Sequence, residues 1–149
     1  MRLSSMADYA VVTMSAAARH CGTASLVDAT GKKRARVSAG ELAEETGLPL
    51  PTVHKVVALL GKAGLLRSVR GSGGGLQLAR PAAAITLADI VEAVEGPIAL
   101  TSCVEHGRHD CALEGTCCVQ PHWGAVNSAM RGALAGIPLT DLARPKVTA

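Results

Sequence analysis

Four of the five cysteines and three of the five histidines lie in one stretch of twenty residues, Cys103 to His122 (CVEHGRHDCALEGTCCVQPH). Thiolate sulfur and imidazole nitrogen are ligands that zinc and iron–sulfur centres prefer. Gly107, Gly115 and Pro121 interrupt the stretch, so its backbone is suited to wrap around a bound group. The composition predicts a site for a soft metal or a metal cluster.

The cysteines favour metal ligation over disulfide bonding. Their number is odd, and Cys117 and Cys118 are adjacent, which suits an intrachain disulfide framework poorly. The N-terminus, MRLSSMADYAVVTM, lacks the features of a signal peptide, and no uninterrupted apolar run reaches roughly eighteen residues. We therefore expect a cytoplasmic protein without a membrane partner, in a compartment that keeps thiols reduced.

Charge is distributed unevenly along the 149 residues. Residues 1–80 carry eleven Lys and Arg against five Asp and Glu, whereas residues 81–149 carry four against seven. A basic half is typical of a surface that meets a polyanion, although a solvated surface with ordinary scatter gives the same count.

The basic half is predicted to begin with two helices. Apolar spacing indicates a first helix from Ser4 to about His20. Ser38 and Glu41 form a capping box that starts a second, short helix, and Gly47 ends it.

A tight turn of Leu48, Pro49 and Leu50 follows the second helix. After this turn, a third helix begins near Pro51 and ends at Gly64. Two short helices joined by such a turn make a helix-turn-helix, in which the start of the second helix meets base edges in the major groove. The candidate DNA-binding residues here are Pro49, Pro51, Thr52, His54 and Lys55. For each of them a solvated helix surface is the alternative.

A β-hairpin wing is predicted directly after this motif. Residues 66–69 and 76–78 alternate in polarity, and the glycine-rich turn GSGGG lies between them. Arg67, Arg70 and Ser72 are the candidate DNA contacts of the wing, with Arg80 beside it. The glycine-rich turn does not resemble a nucleotide-binding P-loop, because the required Lys and Ser or Thr are missing after it.

Two more helices are predicted in the acidic half. Thr86 and Asp89 repeat the capping box and start a helix from about Leu87 to Glu95. A final amphipathic helix from Trp123 to Ile137 has little left in its own chain to pack against, so we expect it to join a twofold homodimer, with packing on the first helix as the alternative.

These elements predict a mainly α fold with a small β-hairpin wing, in which a winged helix-turn-helix precedes a long dimerisation helix. Residues 1–81 form the DNA-binding domain, residues 82–137 the cluster-binding loop and dimerisation helix, and residues 138–149 a flexible tail.

The order of motifs resembles the Rrf2 family of winged-helix transcription factors, which has IscR, NsrR and RirA branches. The resemblance rests on MRLSSMADYAVVTM, on the stretch VSAGELAEETGLPLPTVHKVVALLGKAGLLRSVRGSGGGLQLARP, on ITLADIVEAVEG and on the cysteine loop, and it covers roughly residues 1 to 135. The opening MRLSxxADYAVV together with GTCxVxxxW is most similar to proteobacterial regulators of SUF iron–sulfur assembly genes.

The resemblance implies an iron–sulfur cluster held by Cys103, Cys111 and Cys117, most simply a 2Fe–2S cluster, with a 4Fe–4S cluster as the alternative. In the IscR branch a histidine follows the third cysteine by three residues, but Gln120 stands there in this chain. The fourth ligand is therefore either His122 or, as in the NsrR branch, Asp8 from the partner subunit. Cys118 is expected to point away, and Cys21 to be a buried small hydrophobe.

The implied function is that of a dimeric repressor that binds a double-stranded DNA operator in the bacterial nucleoid, senses its cluster and controls SUF genes. A nitric oxide or iron-responsive repressor of the same family is the nearest alternative. A small iron–sulfur carrier or electron-transfer protein, and a zinc-stabilised DNA-binding protein, are alternatives of other kinds. We expect no enzymatic activity, because the histidines have no readable catalytic partners.

Overall fold

The computed structural model describes residues 2–21, 36–71, 73–104 and 110–144. The predicted mainly α fold with a two-stranded antiparallel hairpin is confirmed. Its elements are α1 (Ser5–Cys21), α2 (Ala39–Thr46), α3 (Leu50–Lys62), β1 (Leu66–Val69), β2 (Gly75–Leu78), α4 (Leu87–Glu95), α5 (Gln120–Ala135) and α6 (Leu139–Leu142), with single 3-10 turns at Ala82–Ala84 and Ser102–Val104.

Both predicted capping boxes are present. The backbone N–H of Glu41 donates to Ser38 Oγ at 3.1 Å, and the N–H of Ser38 donates to the Glu41 carboxylate at 2.8 Å. Thr86 and Asp89 make the same reciprocal pair at the start of α4. Gly47 ends α2 with a φ of 71°, a left-handed conformation that a side chain would disfavour. Local sequence thus fixes where the two helices begin.

The core lies where α1, α3 and α4 pack against one another, with α2 closing one side. Alanines supply much of the buried face of α1, which lets the neighbouring helices approach closely. The largest wholly buried side chains are Met14, Leu42, Leu60, Leu65, Ile85, Ile90 and Leu139. Cys21 is half-buried against this core, with Sγ 3.7 Å from the carbonyl oxygen of Leu76, and burial raises the pKa of its thiol.

One hydroxyl in the core is unsatisfied. Thr13 is wholly buried, and its Oγ1 has no hydrogen-bond partner among the described residues. A buried polar group without a partner costs about 1–3 kcal/mol. We therefore expect Thr13→Val, which keeps the side-chain shape, to raise the free energy of unfolding by about 1 kcal/mol in urea denaturation.

Thr46→Val is the matched control, because the Thr46 hydroxyl donates to the Leu42 carbonyl at 2.6 Å and accepts from the N–H of Leu48. That change should lower stability. If Thr13→Val were as destabilising as Thr46→Val, the Thr13 hydroxyl would have a hydrogen-bond partner in solution.

The wing has the predicted register, with Leu66 paired to Leu78 and Val69 to Gly75. On the side of β2 that is not paired with β1, an isolated β-bridge joins Leu76 to Val37, which lies in the segment before α2. In the turn, a Cβ on Gly74 would lie 2.4 Å from the carbonyl oxygen of Val69, so only glycine fits there. Gly74 therefore lies tightly against the backbone at the end of β1.

The prediction of a flexible tail from residue 138 is wrong for the part that the structure describes. The N–H of Leu139 donates to the carbonyl of Ile85 at 2.8 Å, and the N–H of Leu87 donates to that of Ile137 at 2.9 Å. Leu139 begins α6 and is wholly buried in the core. The segment is held by a β-bridge between Thr86 and Pro138 and by the packing of Leu139, Leu142 and Ala143, contacts too few to leave a periodic sequence pattern. Residues 145–149 lie outside the described residues.

No helix in the described ranges is long and apolar enough to cross a lipid bilayer.

Candidate functional site

The start of α3 is exposed on one side. Val53, Val56 and Leu60 are buried, which fixes one side of the helix against α1, α2 and α4. The predicted DNA-binding residues lie on the other side: Pro49, Pro51, His54 and Lys55 are exposed, and Thr52 is half-buried. The structure thus leaves most of the residues that are predicted to contact DNA bases accessible at the N-terminal end of α3.

Leu50 is a residue of this surface that the sequence analysis missed. The sequence pattern places Leu50 in the turn, but Leu50 is the first residue of α3 and is 43% exposed. The available signal was its place between two prolines at the start of a recognition helix. Its side chain joins the candidate DNA-binding surface.

The wing arginines have different surroundings. Arg70 is exposed at the end of β1. Arg67 is exposed too, and its Nε donates to Gln77 Oε1 across the hairpin at 3.2 Å. Arg80 Nη2 instead lies 3.8 Å from Asp89 Oδ2, so Arg80 is directed toward the capping box of α4. Ser72, the remaining predicted contact, lies outside the described residues.

Arg36 is a second residue that the sequence analysis missed. Its Nη1 donates to the carbonyl oxygen of Gly73 in the wing turn at 2.7 Å. The signal was its place in the basic run GKKRAR, immediately before the strand-like residue Val37. Arg36 adds positive charge beside the wing and restrains a turn that is rich in glycine.

Arg70→Ala should weaken DNA binding several-fold on specific and nonspecific sequences alike, because an exposed arginine on a wing is placed to meet phosphate. The slope of log affinity against log salt concentration should become shallower by about one, the change expected when one phosphate is no longer neutralised. Arg80→Ala is the matched control and should change neither quantity much, since that guanidinium is directed toward Asp89. Equal effects of the two changes, in titrations at several salt concentrations, would contradict this division.

The candidate ligand cysteines lie on two short segments near the start of α5. Cys103 lies in the turn Ser102–Val104, and Cys111 and Cys117 lie in the segment before the helix. All three are half-buried and free of disulfide bonds, whereas Cys118 is exposed. The Thr101 hydroxyl lies 3.1 Å from Cys103 Sγ, where it can donate to a thiolate. Three partly sheltered thiols are a donor set that fits an iron–sulfur cluster.

Both candidates for the fourth ligand are exposed. Asp8 lies in the first turn of α1, and His122 lies in the first turn of α5. The described residues contain no group of three or more His, Cys, Asp or Glu side chains gathered as metal ligands. Glu105, His106 and His109, in the gap between Cys103 and Cys111, lie outside the described residues.

Asn127 of α5 holds the chain just before Cys103. Its Nδ2 donates to the carbonyl of Ile98 at 2.9 Å, and its Oδ1 accepts from the N–H of Leu100 at 3.0 Å. An amide side chain can do both at once, because it carries a donor group and an acceptor group side by side. The position of the Cys103 turn is therefore tied to α5.

Comparison with known proteins agrees with this architecture. The Rrf2 family model, described as an iron-dependent transcriptional regulator, matches residues 3–145. Protein aau3 of Rhizobium meliloti is 34% identical over 149 residues, covering 99% of this chain and 89% of the relative. The HTH-type transcriptional regulator IscR of Photobacterium profundum is 32% identical over 144 residues, covering 97% and 76%.

Solved structures give the same result. CymR (YrzC), the global cysteine regulator of B. subtilis, superposes with a TM-score of 0.68 at 26% identity, covering 96% of each chain. IscR of T. potens superposes with a TM-score of 0.63 at 28% identity, covering 95% of this chain and 85% of the other. The matching family model and the IscR of Photobacterium profundum are described as transcriptional regulators and not as enzymes. The chain accordingly belongs to the Rrf2 family of winged-helix transcriptional regulators.

Proposed function

We propose that the protein is a homodimeric repressor that senses an iron–sulfur cluster and controls SUF genes from the bacterial cytoplasm. The observation that carries the proposal is the set of half-buried, free cysteines, Cys103, Cys111 and Cys117, directly before α5 in a chain of this family. The family description as iron-dependent and the IscR relatives support it.

The ligand set suits a sensor more than a permanent structural site. Three thiolates with one carboxylate or imidazole, from Asp8 or His122, hold a cluster less firmly than four thiolates do. When bound, a 2Fe–2S cluster would supply redox activity, and it would be lost on oxidation or iron limitation. Asp8 or His122, as the weaker ligand, would be the position at which protonation or ligand exchange could start.

The dimer proposal rests on the outward face of α5. The helix contains no buried residue. Val126 of α5 is 45% exposed, and Val119 and Ile137, which flank the helix, are 48% and 38% exposed. With Ala129 and Ala133 they recur mostly at helical spacing. On another side of the helix Asn127 and Arg131 bond to the chain's own residues, and Trp123, Met130 and Leu134 are half-buried. An apolar stripe flanked by small residues is suited to the same stripe of a second copy.

A chain of polar contacts links the cysteine segment to the DNA-binding domain. Arg131 of α5 makes a bidentate pair with Glu92 of α4, at 2.8 and 2.9 Å, and this raises the pKa of Arg131. Glu95, the last residue of α4, accepts from the N–H of Ser4 at 2.8 Å, and hydrogen bonds from Ser4 lower the pKa of Glu95. Since α4 also packs on α3, a shift of α5 is transmitted to the recognition helix.

Asn127 is a positioning residue in this proposal, because its two hydrogen bonds tie the chain before Cys103 to α5. Asn127→Ala removes both bonds to the segment before Cys103, so we expect the visible absorbance of the holo protein to bleach several-fold faster in air. Ser128→Ala, an exposed neighbour on the same helix, is the control and should bleach at the wild-type rate. Bleaching of Asn127→Ala at the control rate, measured alongside the thermal midpoint of the apo proteins, would contradict the role.

Anaerobic purification tests the proposed cofactor. A brown protein with a visible charge-transfer spectrum and iron and sulfide in equal amounts is expected, and a colourless protein with stoichiometric zinc would overturn the proposal. Iron-responsive repression is the second candidate, favoured by the family description. It predicts that operator binding follows added ferrous iron even when no sulfide is present.

A further inference from the structure

The first turn of α3 is unusually apolar for a surface that meets DNA. Leu50 begins the helix and is 43% exposed, and the flanking Pro49 and Pro51 are exposed as well. The neighbouring Leu48, by contrast, is half-buried against the core. Single exposed apolar residues are common on protein surfaces. The position of Leu50 sets it apart, because the start of a recognition helix is the part that enters the major groove.

The same turn is poor in hydrogen-bond donors. Pro49 and Pro51 have no backbone N–H, so two of the groups that usually meet phosphate at a helix start are missing. The first turn has no acidic residue and no side-chain cap. The first charged side chain of α3 is that of Lys55. What this turn presents is therefore mainly apolar surface.

The major groove offers an apolar partner at one kind of base. Thymine carries a C5 methyl group there, and the other three bases present donors and acceptors without one. We propose that Leu50 is a specificity-determining residue that contacts the methyl group of a thymine in each operator half-site. The inference rests on the family's DNA-binding function and is independent of the cluster.

The test uses the full-length protein and an operator selected from random double-stranded DNA. Each thymine of a half-site is replaced in turn by deoxyuridine, which removes only the methyl group. Wild type should lose affinity about fourfold at one thymine per half-site, the effect expected for one buried methyl group. In Leu50→Ala the same replacement should have no effect on affinity.

Lys55→Ala separates this readout from general loss of binding. It should weaken binding to both DNAs and keep the fourfold difference between thymine and deoxyuridine. Circular dichroism of the variants checks folding, which an exposed residue at position 50 should not disturb. The proposal is overturned if wild type ignores every thymine methyl group, if Leu50→Ala still distinguishes the two bases, or if Lys55→Ala also loses the distinction.

Discussion

Cys111→Ala should yield a colourless protein under anaerobic purification, with iron and sulfide reduced to background, while the dimer stays folded. Cys111 is a half-buried thiol in the segment between Cys103 and Cys117, so its loss leaves only two thiolates for the proposed cluster. A donor set reduced in this way no longer suits an iron–sulfur centre. Visible absorption and metal analysis measure the cluster, and size-exclusion chromatography measures the dimer.

Cys118→Ala is the matched control for this change. Cys118 is an exposed thiol next to a proposed ligand, so its removal should leave colour and iron content unchanged. A coloured Cys111→Ala protein would contradict the proposed ligand set, and a bleached Cys118→Ala protein would contradict the assignment of Cys118 as a non-ligand. Asp8→Ala and His122→Ala, compared in the same assay, separate the two candidates for the fourth ligand.

Leu139→Ala should lower the free energy of unfolding of the apo protein by about 2–4 kcal/mol. Leu139 is wholly buried, and the segment before it forms a β-bridge between Pro138 and Thr86. Replacing Leu139 by alanine leaves a cavity in the core. The backbone at Leu139 is hydrogen-bonded to Ile85, so the segment cannot move inward to fill that cavity. Urea denaturation followed by circular dichroism gives the value.

Leu113→Ala makes the same change at a leucine that is 62% exposed, and it should alter stability by less than about 0.5 kcal/mol. Similar stabilities of the two variants would mean that residues 138–144 do not pack on the core in solution. The expectation of a flexible tail would then hold.

Much of the fold followed from local sequence signals. The capping boxes at Ser38 and Thr86 are contacts between residues three apart, so the chain encodes those helix starts without help from the rest of the fold. The glycine-rich turn between alternating strands encodes the wing in the same way. Such elements are readable because their stabilising contacts lie within the pattern itself.

Contacts distant in sequence were not readable. The backbone of Leu139 is hydrogen-bonded to Ile85, which lies far earlier in the chain. The residues around Leu139 contain no sequence pattern that predicts this partner. The direction of Arg80 toward Asp89 depends on how the wing meets α4. Residue types predicted a soft-metal site and the family resemblance assigned three candidate cysteines to it, but the arrangement of those cysteines depends on nonlocal packing. The proposed fourth ligand and dimer face depend on a second subunit.

The central claim is that a cluster held by the cysteine segment changes how the protein binds DNA. Anaerobic footprinting of the region upstream of SUF genes, with one preparation before and after removal of its iron and sulfide, tests this most directly. We predict that the two forms differ at least about fivefold in the concentration that protects the operator, as expected for a coupling free energy of about 1–3 kcal/mol. Equal protection by both forms at equal concentrations would contradict the account.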